Sequence, residues 1–202
     1  MIKRIRRRIK RGKSLIGVRQ QTKRRALTPE EVLTVREKVL EPFLRNLFDI
    51  GLNLCLRISE YCRITLSDIH FDEDYILIKG KGGKERLLAL TREMQRLLQR
   101  QIEFRKLNGV VDHEYLFFLK RWKRPLTRSR LQRYYKQMSK ISEVKFGSHN
   151  LRYTHSVMLL KKGVPRYIVK SRLGHLSDGT DLYLRDKIEE EKRILEAKVR
   201  ML

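Results

Sequence analysis

Near its C-terminal end the chain reads "HNLR" at 149–152, "LGH" at 173–175 and "DLYLR" at 181–185. His149, Arg152, His175 and Tyr183 therefore follow one another in that order. An arginine fork holds anionic oxygens through paired hydrogen bonds. A histidine exchanges protons near neutral pH. A tyrosine phenol, with a pKa of about 10, becomes a nucleophile when its proton is taken during attack. Each residue alone has an ordinary use: His149 can cap the helix it opens, His175 follows a glycine in a turn, and Tyr183 is one of eight tyrosines. Upstream, "GLNLCLRISE" (51–60) sets Arg57 inside an apolar stretch. An arginine there must pair or bind an anion, because burying it alone is costly. Glu60, three residues on, is the local partner for a salt bridge.

The charge balance says what such a site would meet. Lys and Arg number 48 against 23 acids, a net charge of +25. Residues 1–27 carry 12 of the basic residues and no acid, which leaves +13 (25 minus 12) for residues 28–202. So large an excess favours a polyanion through counterion release, and both the arm and the remainder can take part. Hydrophobic residues make up 41% of the chain, enough for a core. No apolar run is long enough to span a membrane, and the positive N-terminus lacks the apolar stretch of a signal peptide. Cys55 and Cys62, seven apart in an apolar helical pattern, are expected as reduced thiols on one helix face, which points to a cytoplasmic protein.

The elements that must position these residues are mostly helical. "TPEE" at 28–31 is a helix start: Thr28 caps, Pro29 suits the first turn and Glu31 closes a capping box. Helical patterns follow near 30–40, 43–62, 91–107, 127–142, 149–162, 165–173 and 186–200. "DYILIKGKGGKERLLAL" (74–90) differs, with β-branched and apolar runs on either side of Gly80, Gly82 and Gly83. That is a hairpin with a glycine-rich turn, and it lacks the spacing of a nucleotide-binding loop. The expected fold is mainly α with a small antiparallel sheet. The expected layout is a basic arm at 1–27, a catalytic domain at 28–185 and a C-terminal helix at 186–202. Ile188, Leu195, Val199 and Leu202 line one face of that helix, which either docks on the chain's own core or packs on a neighbouring protomer.

Taken in order, "LRISE", "GKGGKER", "HNLR", "LGH" and the late tyrosine resemble the catalytic domain of tyrosine recombinases, the phage integrase family, from about residue 28 to about residue 190. The resemblance implies a helical domain with a small three-stranded sheet. It also implies a site-specific DNA recombinase. Arg57 and Arg152 match the family's two phosphate-holding arginines. His149 matches the general base, Lys81 on the hairpin turn the general acid, with Lys84 as its competitor, and His175 a hydrogen-bond donor to the scissile phosphate. Tyr183 matches the nucleophile that ends joined to a 3′ phosphate. Neither metal nor other cofactor is implied, since two arginines supply the charge that a metal gives other enzymes. Double-stranded DNA, self-association into a tetramer on paired sites and accessory DNA-bending proteins are the implied partners. His70, His113 and His155 read as structural or surface residues.

Three features depart from the pattern. Tyr183 lies eight residues after His175, one short of the commonest spacing in the family. Tyr153 stands where a second histidine often follows the arginine. The 27-residue arm leaves no room for the usual N-terminal core-binding domain, as in the short fimbrial-switch recombinases. A non-catalytic regulator built on a recombinase domain, a relaxing enzyme of type IB topoisomerase kind and a basic RNA-binding protein are the rival classes. Covalent trapping on DNA separates the enzymes from the binders.

Overall fold

The computed structural model describes residues 25–119, 124–174 and 184–198. Helix α1 (Pro29–Lys38) opens with a cap. Thr28 accepts from the Glu31 amide at 3.2 Å, and the Glu31 carboxylate accepts from the Thr28 amide at 3.0 Å, the expected capping box. The fold reaches slightly further back than the residue-28 boundary. Leu27 is buried and its amide donates to Thr154 at 2.8 Å, and Arg25 grips Glu31 at 2.6 Å.

Helix α2 (Pro42–Leu54) is the central strut. It is enclosed on most sides, with Leu47, Phe48, Ile50 and Leu52 buried beside the polar Asn46, Asp49 and Asn53, and α4 (Arg92–Leu107) and α6 (Ser148–Lys161) pack against it. The expected single helix over 43–62 is two. It stops at Cys55, whose backbone is left-handed (φ 56°, ψ 34°), and resumes as the short α3 (Ile58–Tyr61) with Arg57 as its extended N-cap. The apolar periodicity runs straight through this break, so nothing in the pattern marks it. It also corrects the cysteine reading: Cys55 and Cys62 each follow the end of a different helix and share no helix face. Both are free thiols.

The hairpin is present. Strands β1 (Ile69–His70), β2 (Tyr75–Lys79) and β3 (Glu85–Ala89) form an antiparallel sheet in that order, with Leu77 opposite Leu87 and Lys79 opposite Glu85. Its turn, Lys81–Gly83, is a single 3₁₀ turn closed by the Gly80 amide on the Lys84 carbonyl at 2.7 Å, and Gly82 takes a positive φ of 73° there. A second pair, β4 (Phe118–Leu119) with β5 (Arg124–Pro125), has no counterpart in the sequence pattern; two-residue strands carry no alternation to read. Helices α5 (Arg128–Ser142) and α7 (Arg166–Arg172) complete the frame with α8 (Leu184–Lys198). Among the described residues no helix is long and apolar enough to cross a membrane.

Helix α8 lies on its own chain. Leu195 is fully buried with Leu159, Val164, Ile168 and Val169, and Ile188 is buried as well. Glu191, from the same face, pairs with Arg172 at the end of α7, and both are buried. Over these residues the apolar face read from the sequence packs on the chain's own α6–α7 cluster. Val199 and Leu202 lie outside the described residues.

Candidate active site

The break after α2 brings the two expected arginines together. Left-handed Cys55 turns its carbonyl to the Arg152 guanidinium, whose other arm reaches the Leu173 carbonyl. Arg57, two residues past Cys55, donates to the Gly174 carbonyl at 3.5 Å. Both forks therefore converge on one turn, Leu173–Gly174, immediately before His175. A left-handed non-glycine residue costs about 1–2 kcal/mol. The strain at Cys55 is spent where it aims a carbonyl at Arg152.

The arginines differ in setting. The Arg152 residue is 9% exposed, whereas the Arg57 side chain is 42% exposed. Burial lowers the pKa of the Arg152 guanidinium, and the nearby cations Arg57 and Arg86 push the same way. Gathering like charges without a ligand between them is unfavourable, so this arrangement favours an anion.

Glu60 offsets part of that charge. Its side chain is 1% exposed, and both its oxygens are in use. Arg57 Nη1 donates to Oε1 at 2.7 Å and the Arg57 amide to Oε2 at 2.7 Å. Arg86 grips the same carboxylate from the other side with two parallel bonds of 2.9 Å. Burial raises the Glu60 pKa, but the hydrogen bonds and charges of Arg86 and Arg57 outweigh it and hold the carboxyl at about 2. The Arg57–Glu60 salt bridge and an anion-facing Arg57 are therefore compatible: the acid holds Nη1, Nη2 makes only the long 3.5 Å bond to the Gly174 carbonyl, and the side chain stays 42% exposed.

The other expected residues are placed as follows. His149 lies in the first turn of α6, exposed, one helical turn before Arg152. The backbone of Lys81 sits at the tip of the hairpin; its side chain is outside what the structure describes. That hairpin is held close to the arginines: a side chain at Gly80 would begin 3.9 Å from Glu60 Oε1. Lys84 is exposed on the same turn. His175 and Tyr183 lie outside the described residues. Gly174, whose φ is 61°, shows why the chain can reach His175 here. A Cβ on it would come within 3.2 Å of Arg57 Nη1 and 3.3 Å of Arg86 Nη1.

His70 stacks on Tyr75 at 4.3 Å and His113 against Phe118 at 4.2 Å. His155 is buried, and burial together with the Arg172 cation keeps its pKa well below the usual value, so it stays neutral.

Two residues beyond those expected from the sequence belong to the cluster. Glu60 is legible there only as a local salt-bridge partner. Arg86 is not among the expected residues, although one signal marks it: on β3 it shares a face with buried Leu88, an arginine on the core side of an alternating strand. Two clefts among the described residues lie elsewhere, one of about 450 Å³ beside α8 and one of about 370 Å³ beside Phe43 and Phe104.

Paired guanidiniums over a glycine turn thus sit on a helical frame with a three-stranded sheet. The phage integrase family profile matches residues 26–188, and the chain belongs to that family. Tyrosine recombinase XerA of Pyrococcus furiosus is 28% identical over 182 residues, covering 85% of this chain and 61% of that protein. The crystal structure of XerA recombinase superposes with a TM-score of 0.67 at 22% identity over 83% of this chain and 65% of the other. The lambda integrase catalytic core gives 0.61 at 21% identity, over 77% of this chain and 94% of that core. The fold is thus that of tyrosine recombinase catalytic domains. The chain spans about three-fifths of the XerA sequence it matches.

Proposed function

We propose that this chain is a site-specific DNA recombinase that cuts and rejoins DNA through a 3′-phosphotyrosine. The observation that carries the reading is the convergence of Arg57 and Arg152 on the turn before His175. Two forks at that spot suit the non-bridging oxygens of a pentavalent phosphorus, where negative charge gathers.

In this reading the Tyr183 phenolic oxygen attacks the scissile phosphorus as His149 takes its proton. The new bond is tyrosyl oxygen to phosphorus on the 3′ side. The bond broken is phosphorus to O5′, and Lys81 delivers the proton that the leaving hydroxyl needs. His175 hydrogen-bonds the phosphate. Reversal with a 5′ hydroxyl from a second strand restores a phosphodiester and frees Tyr183, so the bond count closes without nucleotide hydrolysis. Double-stranded DNA is the substrate, a tetramer on paired sites is the working assembly, and DNA-bending proteins assist where the site demands it.

The test is a nicked duplex built on a matched site, sought as inverted repeats about a short spacer in the DNA beside the gene, and made so that the cut strand diffuses away. Wild type should form a covalent adduct that peptide mapping places on Tyr183, and Tyr183→Phe should bind the duplex and form none. An adduct on another tyrosine overturns the assignment of the nucleophile. Binding without any adduct favours a DNA-binding regulator, a reading that the eight-residue spacing from His175 to Tyr183 already supports. Exchange between two matched sites then separates a recombinase from a relaxing enzyme.

A further inference from the structure

We propose that Arg86 is a positioning residue for Arg57, acting through Glu60. The inference rests on the recombinase reading above. Arg86 comes from β3, 26 residues after Glu60, and its side chain is only 6% exposed. It cannot itself reach an open phosphate. Its Nη1 and Nη2 are each 2.9 Å from a Glu60 oxygen, and its Nε donates to the Arg172 carbonyl at 3.1 Å. These three bonds link the hairpin that carries Lys81, the acid that orients Arg57, and the end of α7 that leads to His175.

The charge arithmetic explains why a second arginine is useful. One carboxylate against one arginine would leave Arg57 largely neutralised before any DNA arrives. Here Glu60 faces two guanidiniums, so the Arg57–Glu60–Arg86 group keeps one net positive charge. Because Arg86 is enclosed and Arg57 is not, that charge is available at Arg57. A planar fork also fixes the carboxylate in two directions, which a lysine cannot do. Glu60 then presents Oε1 to Arg57 Nη1 and Oε2 to the Arg57 amide at 2.7 Å each.

Arg86→Ala and the milder Arg86→Lys test this on the nicked duplex that traps wild type, beside a copy with a methylphosphonate at the scissile position. The methyl group removes the negative charge that Arg57 is there to hold. On the ordinary phosphodiester we expect Arg86→Ala to cleave about 100-fold more slowly, the size of effect seen when one transition-state hydrogen-bond donor is removed. Arg86→Lys should fall in between, since it keeps the charge and loses the fork. On the methylphosphonate both variants should stay within about threefold of wild type, as Arg57→Ala should. Equal loss on both substrates would mean that Arg86 merely supports the fold, and would overturn the proposal. A second readout needs no cleavage: the ¹⁵N guanidinium resonances of the free protein. In Arg86→Lys the Arg57 signals should show faster Nη exchange while those of Arg152 hold. An unchanged Arg57 signal also overturns it. If wild type traps on neither duplex, it is the recombinase reading that fails, and the resonances still decide the role of Arg86.

Discussion

Glu60 shows how one residue can serve two readings of the same stretch. Its carboxylate answers the sequence-level problem of an arginine in an apolar segment, and it does so without consuming the fork. Its acidity follows from its partners. The folded-state pKa of about 2 lies below the ordinary 4.5, so the ionised acid stabilises the fold above about pH 4.5. That contribution is lost as the pH falls towards 2. The shift corresponds to on the order of 3 kcal/mol. Glu60→Gln keeps the shape and removes the charge, leaving Arg57 and Arg86 without a counterion. Urea unfolding at pH 7 should show the variant less stable by about 3 kcal/mol, the usual cost of breaking a buried pair. The gap between variant and wild type should narrow as the pH is lowered from 4.5 towards 2. A gap that stays constant over that window would mean that the charge of Glu60 is not what matters.

At the scale of elements, the sequence announces those whose signals are local. The capping box of α1, the glycine turn of the hairpin and the amphipathic face of α8 each depend on residues within one or two turns of one another. The break at Cys55 has no such signal, because the apolar run continues and the left-handed residue is neither glycine nor asparagine. The same distinction divides the site. Arg57, His149 and Arg152 can be picked out by type and order, whereas the Arg86–Glu60 fork joins residues that only the fold makes neighbours. Helix α8 gives this scale its prediction. Its face can be read from the sequence, but its partner cannot, and the partner in this structure is the chain's own α6–α7 cluster. Leu195→Asp would place a charge where Leu159, Val164, Ile168 and Val169 meet. Burying an unpaired carboxylate there should cost several kcal/mol. The variant should therefore unfold at markedly lower temperature, even as a dilute protein without DNA. A melting temperature equal to wild type would show that α8 leaves this cluster freely and that its face is available to a neighbouring chain.

For the whole molecule the dominant quantity is charge. The described residues open at Arg25, which is tied to Glu31, and Leu27 is tied to Thr154. Removing residues 1–24 therefore takes away eleven of the arm's 12 basic residues (12 less Arg25) and spares the capping box and the hydrogen bond to α6. If the arm grips phosphates, its removal should weaken binding to every duplex by a similar factor, since phosphate contacts carry no sequence information. The salt dependence should change too. Each phosphate neutralised adds about 0.9 to the slope of log affinity against log salt, so the truncated chain should show a slope shallower by about 0.9 for each phosphate that the arm neutralises in the full chain. Fluorescence anisotropy with a matched and an unrelated duplex, from 50 to 200 mM salt, measures both effects; that range spans about the window over which several neutralised phosphates change affinity by orders of magnitude. Equal weakening on the two duplexes together with a shallower slope is the expected result. A slope unchanged by the truncation would mean that residues 1–24 do not touch the backbone, and that the +14 (25 minus 11) remaining on residues 25–202 carries the electrostatics of binding alone.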